Sequence, residues 1–527
     1  MEQIDNLIVP LLKDGELRHL VSGKLGWKEE RIGAIRFLRR SVDARNKRDI
    51  KFVYSLQVFS TDELPPKPHS PERYAREIAA YDHARGRVII IGAGPAGLFA
   101  ALEFRRNGWE VDLVERGSSL PDRHRATGAY FKRGELNPDD NICFGLGGAG
   151  LYSDGKLTTR IKHVEVKEVL EALVAFGAPQ EILWAYNPHV GSNRIRQVIR
   201  TMAEALQGWG VRFHFNTRAT NLLIEGGKVT GIRSLILNNS ASEDTMRADA
   251  VMVACGHGAS DTYRWLHNCG VAMEAKPFAV GLRVQHPREF IDHSQFGNFA
   301  GHPALESASY RMTCNLKELE RGVYTFCMCP GGYIVPAATE AGTMVVNGMS
   351  NYSRNSPWSN SAVVVTVNAS DWGTDTFAPL EFRQKMEQRA YDLVREAGGT
   401  HQVPAMPIKA YRGKGNIAMP KRSSCLSGAI KADIRSVFPT PIAEALDAGL
   451  DRFDHLLHGF SQHDEALLFA VESRTSSPLR LLRDPKTFNS TGMPGLIPVG
   501  EGAGYAGGIT SAAVDGLRAA RSQTLKY

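Results

Sequence analysis

One segment constrains this chain more than any other: Val88-Ile-Ile-Ile-Gly92-Ala-Gly94-Pro-Ala-Gly97, followed by Val111-Asp-Leu-Val-Glu115. The apolar, mostly β-branched run before Gly92 predicts a buried parallel strand. Gly92, Gly94 and Gly97 allow a tight turn, close approach of backbone to a pyrophosphate, and close packing of helix on strand. Pro95 and Ala96 open the next helix, where a proline's missing N–H costs nothing. That helix aims its free N–H groups and positive end at a diphosphate and closes at Gly108. The following strand delivers Glu115 to ribose hydroxyls, with Arg116 next to it. A carboxylate there disfavours a 2′-phosphate, so the segment predicts NAD or FAD and cannot separate them.

A second strand–glycine turn–helix near the C-terminus makes that choice. Leu496-Ile-Pro-Val leads into Gly500-Glu501-Gly502-Ala503-Gly504, then Gly507-Gly508-Ile509-Thr510 opens a helix expected over 509–521. Glu501 is an acid placed to accept hydroxyls from a ribityl chain. The helix N-terminus can face a flavin pyrimidine. At this distance from the first motif the pattern resembles FAD-binding oxidoreductases of the glutathione-reductase fold. That resemblance implies FAD, a backbone contact from Ala219 to adenine, Ala254 and Gly256 passing the cofactor, and Arg123 among the cofactor contacts. A second GxGxxG–acid unit is missing from the sequence, so NAD(P)H, as electron donor, is expected to bind transiently.

The 527 residues suggest two or three domains with ample core, and 43% hydrophobic with 23% charged residues is ordinary for a globular protein. Seven cysteines without framework spacing fit a reducing compartment. The N-terminus lacks a signal-peptide pattern and no apolar run is long enough to span a bilayer, so a cytoplasmic protein without membrane association is expected. The chain reads as α/β. A small basic α+β domain (1–62) and a linker with a helix (63–84) precede a doubly wound, Rossmann-like FAD-binding domain (85–275 and 426–527). Inserted between its halves is a mainly β/α+β substrate domain (276–425). Strands are expected over Ile32–Val42 and Asp49–Phe59, a linker over Leu64–Pro71, a helix over Pro71–Ala84, and a meander over 211–237.

Other segments carry candidate chemistry. Phe144–Leu157 is a second glycine-rich loop, in which Gly147, Gly148 and Ser153 would crowd the flavin. Lys156 there offers a charge to the flavin ring or to an anionic substrate, or else lies in solvent. In Tyr324-Thr-Phe-Cys327-Met-Cys329-Pro-Gly-Gly332, alternation would put Cys327 and Cys329 on one strand face. They are either a redox dithiol or two small buried thiols; a metal site lacks further ligands at suitable spacing. In Val471-Glu472-Ser-Arg474-Thr-Ser-Ser-Pro478, Arg474 suits a carboxylate or a flavin carbonyl, or pairs structurally with Glu472. His286 reads as a core or surface histidine. The first 60 residues hold twelve Lys/Arg against eight acids, a charge excess fitting either a solvated face or an RNA-binding surface.

Together these stretches resemble an uncharacterised family of bacterial FAD-dependent dehydrogenase-like proteins. The matching segments are Arg39–Arg45, Gly92–Gly97, Phe144–Leu157, Phe326–Gly332, Asn347–Ser350, Arg474–Pro478 and Gly500–Gly516, spanning almost the whole chain. The resemblance implies an FAD-dependent oxidoreductase acting on a small molecule. Leu146, Gln285 and Met406 depart from the family pattern, so a shared substrate does not follow. The expected catalytic set is Cys327, Cys329, Lys156 and Arg474.

Overall fold

The computed structural model describes residues 1–527 except 67–69, 80–82, 238–240, 416 and 526–527. Its centre is a five-stranded parallel sheet in the order Leu496–Pro498, Ala250–Val253, Arg87–Ile91, Glu110–Val114, Arg212–His214. Strand Arg87–Ile91 sits in the middle, and its alternation sends Val88 and Ile90 to one face and Ile89 and Ile91 to the other. Helices Pro95–Arg106, Gly191–Gly208 and Ile509–Thr524 bury the first face. The second face differs from the doubly wound expectation. A three-stranded antiparallel sheet (Thr217–Glu225, Lys228–Ile236, Ser242–Arg247) covers it with Leu222, Val229, Ile232 and Met246, beside helix Ser260–Asn268. The predicted meander is therefore split: its first strand, Arg212–His214, extends the parallel sheet.

A seven-stranded sheet forms the second layer, in the order Thr313–Leu316, Arg321–Cys329, Trp358–Val367, Phe278–Pro287, Leu467–Glu472, Val403–Pro407, Ala429–Lys431. Leu467–Glu472 and Ala429–Lys431 lie beyond residue 425, in the stretch read as returning to the FAD-binding domain. A fully buried apolar strand such as Leu-Leu-Phe-Ala-Val-Glu looks the same in either sheet, so the sequence does not mark the change. Helices Ala378–Glu396 and Thr440–Leu456 cover one face of this sheet with a large apolar core. On the other face lie Ala279, Ala362 and Val364 with Tyr324 and Phe326 packed against them.

The N-terminal unit has three antiparallel strands, with Lys51–Ser60 between Glu2–Pro10 and Ile32–Asp43. Helix Leu17–Leu25 adds Val21 to the unit's core. The strand Glu2–Pro10 is unexpected from sequence because a register shift between Ile4 and Leu7, with Asn6 at φ 55°, breaks its alternation. The basic strand is turned toward the protein body. Arg40 N donates to Trp184 O (2.8 Å), Phe37 lies against Trp184, and the Arg39 guanidinium lies over Tyr186. The Pro71 helix runs to Ile78; residues 80–82 of its expected span, and 67–69 of the proline-rich linker, lie outside the described residues. Among the described residues no helix is long and apolar enough to cross a membrane.

Candidate functional site

The central strand ends at Gly92, whose φ of 109° and close approach to Ala254 O leave no room for a side chain. Helix Pro95–Arg106 then starts with Gly94 as N-cap and no side chain capping its free N–H groups. Glu115 binds the turn together: Oε2 accepts from Ala93 N (2.8 Å), and Oε1 accepts from Gly117 N and Gly145 N (2.9 Å each). A carboxylate has about four acceptor positions, so Glu115, which lines the cavity described below, keeps acceptor capacity. Gly147 N donates to Ala93 O (2.8 Å), joining the second glycine loop to the first.

Arg123 organises that second loop from behind. Its fully buried guanidinium donates to the carbonyls of Asn141, Ile142, Gly145, Leu146 and Gly148. It satisfies carbonyls that a tight glycine loop turns inward and does not reach the cavity.

Above these loops lies one cavity of about 1440 Å³, larger than the ~300–1,000 Å³ of an ordinary small-molecule site. It runs between the parallel sheet and the seven-stranded sheet. Gly92, Gly94, Pro95, Ala96, Glu115 and Arg116 line it from the first motif, and Gly148, Ser153 and Lys156 from the second loop. Ala219, Ala254 and Gly256 form a side wall, while Glu501, Gly507, Gly508 and Ile509 contribute from the C-terminal motif. Cys327 and Arg474 reach it from the second layer. A side chain built on Gly256, Gly507 or Gly508 would meet no atom within 4 Å, so bare backbone borders open space there. The helix Ile509–Thr524 also begins without a side-chain cap. Two uncapped helix N-termini, bare glycine backbone and a part-used buried carboxylate fit an elongated dinucleotide.

Eight predicted residues do not line the cavity. A Cβ on Gly97 would sit 1.9 Å from Gly92 O, so this glycine serves helix–turn packing. Gly500 packs on Ala96 and Gly502 on Gly256. Ala503 is buried in the core of the sheet's second face, and Thr510 Oγ1 donates to Leu157 O (2.8 Å). Gly147, Arg123 and Cys329 complete the group, the last being fully buried.

The two thiols interact, but only Cys327 lines the cavity. A bulge between Phe326 and Cys329 breaks the alternation, and Cys327 adopts φ 45°. Cys327 faces the cavity, while Cys329 Sγ lies 3.6 Å from Arg283 Nη2 and donates to Cys327 O (3.4 Å). Interaction with Cys329, reinforced by Lys156 and Arg283 and opposed by burial, pulls the Cys327 thiol well down, and Cys329 is pushed up in return. One sulfur of the pair therefore carries thiolate character. Cys327 is expected to alkylate with iodoacetamide at neutral pH before the other six thiols. Peptide mapping that finds Cys327 as slow as buried Cys425 would refute this.

Lys156 Nζ donates to Met328 O and lies 3.1 Å from Asp154 Oδ2. Asp154, almost fully buried, also takes Arg354 Nη2 (2.6 Å) and the Ser350 hydroxyl. Arg474 pairs with Glu387 (3.0 Å) and donates to Thr339 Oγ1 (2.8 Å), so its partner is not Glu472. Glu472 instead holds Arg283 (2.7 Å). Burial pushes the Glu472 carboxyl up to about 7, against the pull of Arg283. His286 is a core residue whose Nε2 contacts Phe460 O (2.7 Å). Sequence reading missed Asp154, Glu387 and the role of Arg354. Asp154 lay inside the second glycine loop, Phe144–Leu157, while Glu387 carried no local sign.

Sequence comparison then places the chain. An uncharacterised protein of Clostridium beijerinckii is 36% identical over 544 residues, covering 100% of this chain and 99% of its own. The chain belongs to that protein's family. Residues 277–475 match the family described as "FAD-dependent protein, C-terminal domain-like", and 85–132 and 127–280 match FAD-binding domains. Residues 1–59 match a domain of unknown function. A digeranylgeranylglycerophospholipid reductase of Methanosarcina acetivorans is 30% identical over 208 residues, 38% of this chain and 44% of that one. A kynurenine 3-monooxygenase of Salinispora tropica is 29% identical over 212 residues, 39% and 41% of the two chains. A solved flavoprotein/dehydrogenase from Cytophaga hutchinsonii, 13% identical, aligns over 84% of this chain and 79% of its own with a TM-score of 0.39. Residues 85–280 thus carry FAD-binding domains, and the stretch this chain shares with a reductase and a monooxygenase makes it flavin-oxidoreductase-like.

Proposed function

We propose that the protein holds FAD in the glutathione-reductase manner and exchanges hydride with a small organic substrate bound against the seven-stranded sheet, NAD(P)H acting as a transient donor. The observation carrying this reading is the continuity of the cavity from Gly94 to Cys327 and Arg474. Gly94, Pro95 and Gly148 would hold the diphosphate, and Glu115 the adenosine ribose beside Ala219. Glu501, 3.2 Å from His257, would take the ribityl hydroxyls, with Gly507–Ile509 at the pyrimidine end. Bound there, the flavin would supply hydride transfer, which no side chain can.

The chain's own groups set up the reacting end. Lys156, anchored by Asp154 and the Met328 carbonyl, keeps a fixed positive charge beside Cys327. Arg474 is locked by Glu387 and Thr339 and points into the cavity without freedom to swing away. Glu472, titrating near neutrality at the cavity wall, can hold or give up a proton there.

The purified protein is expected to be yellow, with flavin absorption lost on anaerobic addition of NADH or NADPH. Oxygen then separates the two kinds of relative: rapid reoxidation coupled to substrate hydroxylation marks a monooxygenase, slow reoxidation a reductase. A colourless protein that does not take up added FAD removes the proposal. The RNA-binding reading gains no support, and Arg40 of the basic strand is engaged with the protein body.

A further inference from the structure

The cavity is longer than the cofactor reading uses, and its outer part has a chemistry of its own. In the seven-stranded sheet Thr313 pairs with Tyr324. One residue further, Thr325 N donates to Met312 O (2.9 Å) and Met312 N donates to Thr325 Oγ1 (2.8 Å). Arg311 thus stands opposite Phe326. Cross-strand partners share a face and alternate residues return to it, so Arg311, Thr313, Tyr324 and Phe326 present one surface, and all four line the cavity. From the opposite wall, at the end of the second glycine loop, comes Arg160. It is near enough to pull down the Tyr324 hydroxyl, which burial otherwise raises.

Charge matching singles these two arginines out. Every acid on the cavity wall is engaged: Glu115 by three backbone N–H groups, Asp154 by Lys156 and Arg354, Glu472 by Arg283, and Glu501 by His257. Arg116 and Arg218 are matched by Asp139, and Arg474 by Glu387. Arg160 and Arg311 line the same cavity, are exposed, and among the described residues pair with no carboxylate. Two unmatched guanidiniums over an aromatic floor form a receptor for a flat apolar body carrying an anionic group.

We infer that the outer half of the cavity binds an aromatic or similarly planar carboxylate, its body laid on Tyr324 and Phe326 and its carboxylate held between Arg160 and Arg311. This assigns a substrate class to the proposed oxidoreductase and rests on that reading. The Tyr324–Phe326 surface leads directly to Cys327, so a ligand seated on it abuts the proposed reacting end.

The test uses the FAD-loaded protein and two matched probes, 2-naphthoate and its neutral isostere 2-naphthamide, titrated by calorimetry at low ionic strength. Naphthoate is expected to bind more tightly than the amide. The Arg160→Gln/Arg311→Gln variant should weaken naphthoate by about tenfold or more while leaving naphthamide and FAD affinity unchanged. Failure of naphthoate to bind, equal binding of acid and amide, or an unaltered naphthoate affinity in the variant each overturns the assignment. So does a variant that instead loses FAD, since the arginines then serve the cofactor. A wild-type protein that loads FAD but ignores naphthoate leaves the flavin reading intact; one that takes up no FAD ends both.

Discussion

Gly97→Ala is expected to cost the protein most of its FAD affinity, on the order of 100-fold or ~2.7 kcal/mol. The reason is steric. A Cβ at this position would lie 1.9 Å from Gly92 O and 3.3 Å from Ile90 Cγ2, and neither atom can yield without moving the turn. Helix propensity acts in the opposite direction, because alanine within a helix is favoured over glycine by ~0.5–1 kcal/mol. Overpacking a buried contact of this kind costs ~1–3 kcal/mol, and here the strain falls on the turn that would face the diphosphate. Gly128→Ala is the control: it lies in helix Leu120–Arg133 with nothing within 4 Å of the new carbon. It should be neutral or slightly stabilising. Titration of the apo-proteins with FAD decides the matter, and a Gly97→Ala protein of wild-type affinity would show that the turn is not the diphosphate site.

Glu387→Ala is expected to destabilise the fold by ~3–5 kcal/mol, the usual cost of leaving a buried charge unpaired. Glu387 is fully buried between Arg383 (3.3 Å) and Arg474 (3.0 Å), and it also accepts from Ser473 Oγ (2.7 Å). Removal would strand two guanidiniums in the interior. Burial alone would favour the neutral acid, but the Arg474 and Arg383 charges outweigh it and hold the carboxyl below its ordinary 4.5. A carboxyl depressed in the folded state adds stability above its unfolded value, and that stability drains away as pH falls through the folded value. Glu387→Gln should therefore lower stability at pH 7 and flatten the acid limb between about pH 4.5 and lower values. Denaturant unfolding at several pH values checks both statements. A loss below about 1 kcal/mol for the alanine variant would mean that water reaches this triad.

Legibility from sequence followed the range of the interactions involved. Val88–Gly97 and Gly500–Gly508 were readable because a strand, a turn needing glycine and a helix start are all local events. Their cavity-facing members were not separable from their packing members. Gly94 and Gly97 look alike in sequence, and only the fold puts one at the cavity wall and the other under a carbonyl. Arg123 was taken as a cofactor contact from the resemblance alone, and it does not reach the cavity. Its five carbonyl partners come from residues 141–148, brought to it by the loop's closure. The cysteine pair was placed by period alone: strand alternation holds only without a bulge, a bulge sits between Phe326 and Cys329, and only Cys327 reaches the cavity.

The sequence by itself determined that a dinucleotide turn, an acid at the end of the next strand and a second glycine turn exist in this chain. Steric freedom at glycine and apolar runs of strand length need no distant partner. Only the tertiary structure decided which charges meet. Arg474 takes Glu387, 87 positions away, while Glu472, two positions away, takes Arg283. The strand ends at Glu472 and the chain then leaves the sheet, so neighbours in sequence part company. In a buried site the partner is whichever carboxylate the packed layers bring within reach.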